Sequence, residues 1–153
     1  MKPLYTQTLM LVIGLLAIGS FADTKTNSTA AAEPMDIRFG LGYFDGDPGM
    51  QIGKDFQLGQ RSEVAVLAGG YNQDRFTFRF DADYHFILTP DSPLRIYPLA
   101  GVDFAIRSKE NRIGGNLGAG LSFNLAQPFS AFVEAKYVFG DWEGFGLVIG
   151  VHF

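Results

Sequence analysis

FTFRFDADYHFIL, residues 76–88, decides how the chain is read. Every second residue from Phe76 is apolar: Phe78, Phe80, Ala82, Tyr84, Phe86 and Leu88 follow. Between them stand Thr77, Arg79, Asp81, Asp83 and His85. A side-chain period of two places these sets on opposite faces of an extended strand; a helix cannot keep such a stripe on one side. One face is long and aromatic. The other carries charge of both signs.

The same alternation recurs along the chain. Residues 35–44 set Ile37, Phe39, Leu41 and Tyr43 against Arg38, Gly40 and Gly42. Residues 94–107 set Ile96, Val102 and Phe104 against Arg95, Tyr97 and Asp103. Residues 113–125 oppose Leu117, Leu121 and Phe123 to Asn116, Gly118, Gly120 and Ser122. Residues 130–139 oppose Val133 and Tyr137 to Glu134 and Lys136, and residues 145–153 end the chain on Phe145, Leu147, Ile149, Val151 and Phe153. Two segments are less regular. In residues 50–58, Lys54 falls in the apolar set, so either Gly53 marks a bulge or the ammonium snorkels along the surface. Residues 63–71 admit either phase. The count is eight strands. The links DGDPG, GQRS, NQDR, TPDSP, SKENR, AQPFS and DWEG are short and rich in turn formers, which predicts an antiparallel meander.

Composition narrows the class. The chain has 153 residues, 15 Phe and 19 Gly, with 18% charged and 14% aromatic residues, which suits one domain and is odd for a soluble core. A net charge of −4 gives no electrostatic pull toward nucleic acid. The absence of Cys excludes thiol catalysis, disulfides, Cys-based zinc sites and a lipid-modified cysteine. Residues 1–22 read as a cleavable signal peptide: Lys2, an apolar run too short for a membrane span, then Ser20-Phe21-Ala22 as a cleavage site. Ala30-Ala31-Ala32 offers a second site. Residues 23–34 form a polar leader, and residues 35–153 carry the strands.

Polarity then chooses among β folds. A soluble sandwich or a lipocalin-like secreted carrier turns its polar face to water, and that alternative stands. Here the polar face mixes glycines with balanced charges, poor material for a solvated surface. Lipid outside and charges inside suit it better. Strands of about 9–11 residues cross a bilayer when tilted. Unpaired backbone groups in lipid cost several kcal/mol, so the sheet must close. The expected fold is all-β: an eight-stranded antiparallel up-and-down transmembrane β-barrel. An even strand number returns both ends to one side, the periplasm for an exported chain. The expected lumen charge network is Arg38, Arg79, Asp81, Asp83, His85, Arg95, Asp103, Glu134 and Lys136, with small glycines leaving room for the longer side chains.

Catalytic patterns are weak. Asp81, Asp83 and His85 share a face at spacings of two, which permits a metal or acid–base site. Mutual neutralisation with Arg79, Arg95 and Lys136 explains the same residues, since buried charges need partners. Ser122 and His85 lie on strands that are not neighbours in a meander, so no triad is read. GGNLGAG lacks the Gly-Lys-Ser/Thr of a phosphate loop and sits inside an alternating strand. No cofactor or metal is expected. Tyr43, Tyr84, Tyr137 and Trp142 are placed to form interfacial girdles.

Gly118, Gly120 and Phe123 in a G-x-G-x-x-F run, and Glu134, Lys136 and Tyr137 before a loop and a closing strand, resemble the last strands of small outer-membrane barrels. The kinds are outer-membrane protein A, outer-membrane protein X and the opacity proteins. The resemblance covers residues 35–153 and speaks to architecture more than to function. It implies a monomeric Gram-negative outer-membrane protein. Its partners would be outer-membrane lipids and, during biogenesis, periplasmic chaperones and the assembly machinery. It also implies that Phe145, Leu147, Ile149, Val151 and Phe153 form the C-terminal assembly signal. Two departures matter: no peptidoglycan-binding domain is expected after the last strand, and the short links argue against adhesion. Barrel enzymes that trim lipid A carry a His-x-Ser pair, whereas His85 precedes Phe86 and Ile87, so no enzymatic activity is expected. The expected role is structural or surface-associated, with the lumen plugged by ion pairs. The alternatives are a narrow low-conductance channel, a lipid-modifying barrel enzyme and the secreted carrier.

Overall fold

A computed structural model describes residues 37–72, 76–107, 110–126 and 128–153. The signal peptide at 1–22, the cleavage sites after Ala22 and Ala32, and the leader at 23–34 lie outside these residues. The described chain forms strands β1 (Ile37–Phe44), β2 (Asp47–Gly59), β3 (Ser62–Asn72) and β4 (Phe76–Phe86). Strands β5 (Leu94–Arg107), β6 (Glu110–Ala126), β7 (Phe129–Gly140) and β8 (Gly144–His152) follow. Each pairs antiparallel with its sequence neighbour, and β1 pairs with β8, so the sheet is an eight-stranded closed up-and-down barrel. Leu41 marks the closure, opposite Met50 on one side and Ile149 on the other. At the rim where β1 begins and β8 ends, here the terminal rim, Ile37 and Phe153 exchange backbone hydrogen bonds of 3.1 and 2.9 Å.

Turn chemistry sets the strand ends. Asp45 and Gly46 both have positive φ, 51° and 92°, as a two-residue type I′ hairpin turn requires. That compact turn lets β2 begin at Asp47, three residues before the alternation becomes visible at Met50, with Pro48 inside the ladder opposite Tyr43. Register shifts fall near the terminal rim, between Gln57 and Gly59 and between Asn124 and Ala126. No shift occurs at Gly53: Gly53 faces Leu67 and Lys54 faces Val66 in step. Lys54 therefore keeps the apolar phase and stands on the outer wall, its Nζ 5.3 Å from the Phe56 ring centroid. The bulge reading falls, and Lys54 stands among the outward side chains.

The phase of β3 is settled as well. Glu63, Ala65, Leu67 and Tyr71 point inward and are buried, while Val64, Val66, Ala68 and Gly70 take the outer wall. Small residues on both faces had hidden this. Across the barrel, the large apolar side chains that point outward are exposed: Leu41, Ile52, Phe78, Phe80, Leu117, Tyr137 and Ile149 among them. Inward positions hold Arg38, Arg79, Asp83, His85, Glu134 and Lys136, all buried. A lipocalin-like carrier would have the reverse arrangement. Trp142 departs from the girdle expectation. It sits at the rim away from the chain ends, the distal rim, but turns inward and is only 9% exposed. Tyr43, Tyr84 and Tyr137 do face outward.

Candidate functional site: the lumen charge networks

The lumen is where this chain concentrates chemistry. Alternation delivers the residues; closure of the sheet brings distant strands face to face. Glycines supply the space. A Cβ on Gly101 would stand 2.2 Å from Asp83 Oδ1, and one on Gly120 would stand 2.4 Å from the Tyr97 ring. Neither contact is tolerable, so these two strand positions accept nothing larger.

Two networks result. The central one is built on β4, β5 and β7. Lys136 Nζ donates to Asp81 Oδ2 at 3.0 Å and to Asp83 Oδ2 at 2.9 Å. Arg79 Nη2 donates to Asp103 and lies 3.7 Å from Asp81 Oδ1. Asn116 on β6 donates to Asp83 Oδ1 at 2.8 Å. On the distal side of this network, aromatic rings surround the Arg79 guanidinium. Its Cζ is 4.1 Å from the Phe44 ring centroid, 4.7 Å from Trp142 and 5.2 Å from Tyr71. Such contacts strengthen when desolvated.

The terminal network lies nearer the chain ends. Arg38 donates to Glu134 Oε1 at 2.5 Å and to Asp55 Oδ1 at 3.4 Å. Tyr97 donates its hydroxyl proton to the same Glu134 oxygen at 2.8 Å. His85 Nδ1 is 3.1 Å from Glu63 Oε1, and its ring stacks on Tyr97 with centroids 4.7 Å apart. Arg95 Nη2 donates to Glu63 Oε2 at 2.9 Å. His152 stacks on Phe132, lies 3.3 Å from Asp55 Oδ2, and meets the Ser130 hydroxyl through Nδ1 at 3.3 Å.

All nine residues singled out from the sequence face the lumen, but their partnerships differ from simple neighbour pairing. Glu134 goes to Arg38, not to Lys136 two residues along. Arg95 goes to Glu63, away from Asp81 and Asp83. His85 parts company with Asp81 and Asp83, which share Lys136, so the i, i+2, i+4 set does not converge on a common point. Among the described residues, no group of three His, Asp or Glu side chains is placed to hold a metal ion. Six participants were missed: Asp55, Glu63, Tyr97, Asn116, His152 and its partner Ser130. The first lies in the polar phase of β2 and was legible; Glu63 required the phase of β3. Tyr97, Asn116 and His152 were already in polar phases, but nothing local marks their cross-lumen partners. On β8, Phe145, Leu147 and Ile149 are exposed on the outer wall and Val151 is half-buried, and Phe153 just past the strand is exposed.

No family model matches the chain. It is 25% identical over 153 residues to the uncharacterized protein YaiT of Escherichia coli strain K12. That match covers 82% of this chain and only 15% of YaiT. The N-terminal β-barrel domain of Pseudomonas aeruginosa OprF superposes with a TM-score of 0.61 at 21% identity, over 78% of this chain and 97% of that domain. The outer-membrane enzyme PagL superposes at 0.50 with 14% identity, over 76% and 97% of the two chains. The fold is that of the small eight-stranded outer-membrane barrels.

Proposed function

We propose that this chain is an integral bacterial outer-membrane barrel with a structural or surface-associated role, its lumen plugged by ion pairs. The carrying observation is the inversion of polarity: exposed aromatic and aliphatic side chains outside, buried and paired charges inside. In water such a surface forfeits roughly 1.5–3 kcal/mol for each large apolar side chain left unburied. Acyl chains recover that loss, and a closed sheet leaves no backbone edge in lipid. The likeness to OprF and PagL supports the fold and leaves the role to the residues. The chain ends of β1 and β8 would face the periplasm, and the outward stripe of β8 would be read by the assembly machinery.

The lumen argues for a plug over a pore. Eight strands enclose an interior just wide enough for side chains, and here Arg38, Arg79, Glu134 and Lys136 occupy it with their partners. Both histidines are engaged with lumen residues, and His85 is followed by Phe86 and Ile87, not by the x-Ser of the lipid A-trimming pattern. Fractionation with gel mobility before and after boiling tests the membrane reading. A detergent-extracted band whose mobility changes on boiling is expected; a mature chain freely soluble without detergent overturns it. Planar-bilayer recording tests the plug. A silent membrane at high protein load is expected, and steady unitary conductance would replace the plug with a narrow channel.

A further inference from the structure

The distal mouth of the barrel holds a bowl of about 250 Å³ that the ion-pair plug does not use. On one wall, Arg107 ends β5 and Arg112 stands near the start of β6. On the other, Asp45 lies in the β1–β2 turn and Asp47 opens β2, with Glu143 between β7 and β8. In a closed order of eight strands, the β1–β2 and β5–β6 connections are diametrically opposite. Phe44 and Trp142, ring centroids 5.1 Å apart, form the floor.

Most of these charges are already engaged. Arg112 donates to Glu110 at 2.9 Å, Asp45 Oδ1 accepts the Phe145 N–H at 3.0 Å, and Glu143 accepts the Tyr137 hydroxyl at 3.1 Å. Arg107 and Asp47 are different: neither side chain has a polar partner among the described residues. They carry opposite charge on opposite walls, and they do not reach each other. The Trp142 ring below them is a floor and not a donor, because its nitrogen is covered. The Trp142 indole N–H, nine-tenths buried, has no hydrogen-bond acceptor. It lies against Gly114, on the same β6 wall as Arg112, where a Cβ would come within 3.1 Å of Nε1. Among the described lining residues, the unengaged cation therefore stands at β5–β6 and the unengaged carboxylate at β1–β2.

We propose that this mouth binds a small water-soluble zwitterion of the amino-acid class, its carboxylate toward Arg107 and its ammonium toward Asp47, over the Trp142 ring that floors the bowl. A simple anion would leave Asp47 unpaired, and a simple cation would leave Arg107 unpaired. A zwitterion satisfies both with charge-assisted hydrogen bonds. The occupant is soluble because the bowl opens along the barrel axis and is built largely from lumen-phase and turn residues, whereas lipid meets the outer wall. The proposal goes beyond the plugged-barrel reading and does not require the lumen below to be closed.

Trp142 is the single tryptophan, so its emission and its indole N–H resonance report on this site alone. The folded full chain in detergent micelles is titrated with L-alanine and with 4-aminobutyrate. Acetate and methylammonium serve as single-charge controls at matched ionic strength. A saturable change with at least one zwitterion, and much weaker responses to both controls, is expected. Arg107→Gln and Asp47→Asn should each weaken that binding about tenfold, the value of one lost charge-assisted contact. Lys54→Gln, on the outer wall, should leave it unchanged. The boiling-dependent mobility shift confirms that each variant is folded, so loss of binding is separable from loss of the barrel. The proposal is overturned if neither zwitterion changes emission or resonance. It is equally overturned if acetate or methylammonium alone saturates as tightly, or if both folded rim variants bind as the parent does.

Discussion

Lys136 and Arg95 are both lumen cations, yet they live in different electrostatic worlds. Lys136 holds Asp81 and Asp83, with all three side chains at most 4% exposed. Arg95 holds Glu63 alone and is itself 28% exposed. The central network has two cations, Arg79 and Lys136, for three carboxylates, Asp81, Asp83 and Asp103. The terminal network also sets two permanent cations, Arg38 and Arg95, against three carboxylates, Asp55, Glu63 and Glu134. It adds His85 and His152. Charge inventory therefore does not distinguish them; access to water does. Aromatic rings stand over the distal side of the central network, whereas the terminal network meets solvent at Arg95 and His152. Buried pairs are costly to break because the surviving partner has no water to return to. Exposed pairs contribute little because water replaces the lost partner.

The largest expected effect tests the central network. Lys136→Met removes the cation and leaves Asp81 and Asp83 facing each other in a dry lumen. Breaking a buried pair this way costs about 3–5 kcal/mol. Urea unfolding of the barrel in lipid vesicles, followed by the boiling-dependent gel shift, should show an unfolding free energy lowered by that amount, or failure to fold. A Lys136→Met barrel as stable as the parent would mean that water reaches the central network after all, and the contrast with the terminal network would dissolve.

The wall between that network and lipid gives the next test. Phe80 lies between Arg79 and Asp81 in sequence and points the opposite way, exposed on the outer wall. Phe80→Arg adds an unpaired charge on the lipid side of the wall, one backbone layer from the paired interior. The cost is about 2–4 kcal/mol near the midplane and falls to about 0–1 near an interface. Phe56→Arg, beside Lys54 near the terminal rim, should therefore be milder by the same unfolding measurement. Equal tolerance of both would contradict the inverted polarity on which the whole comparison rests.

How far this was readable from the sequence follows from the same physics. Residues 76–88 were legible because large apolar and charged side chains alternate without interruption, leaving one phase. The lumen residues on β4, β5 and β7 were legible for that reason. Residues 63–71 were not: Val, Ala and Gly fit either face, and only pairing with β4, Glu63 opposite His85, fixes the phase. Lys54 looked like a defect because its charge matters more to a reader than its long apolar stem matters to the strand. Trp142 was expected at a rim, and the sequence could not say which way it would turn. That direction depends on Phe44 and Arg79, ninety-eight and sixty-three positions away. Pair identities were hidden for a related reason. Closure sets which strands meet across the lumen, and no local pattern encodes that Glu134 will choose Arg38.

The smallest effect is the one that completes the contrast. Arg95→Gln removes a cation from Glu63, but Glu63 keeps His85 at 3.1 Å, and the Arg95 side chain that is lost is itself 28% exposed. A partly exposed pair of this kind is worth about 0–1 kcal/mol. The unfolding free energy should fall by no more than that, and by less still in high salt, since exposed charges are screened. Lys136→Met should show little salt dependence, because counterions do not enter the space it leaves. The salt response thus separates the two networks even if their absolute costs lie closer together than expected. A strongly salt-insensitive loss at Arg95 would place the terminal network in the same dry environment as the central one, and the distinction drawn from exposure would fail.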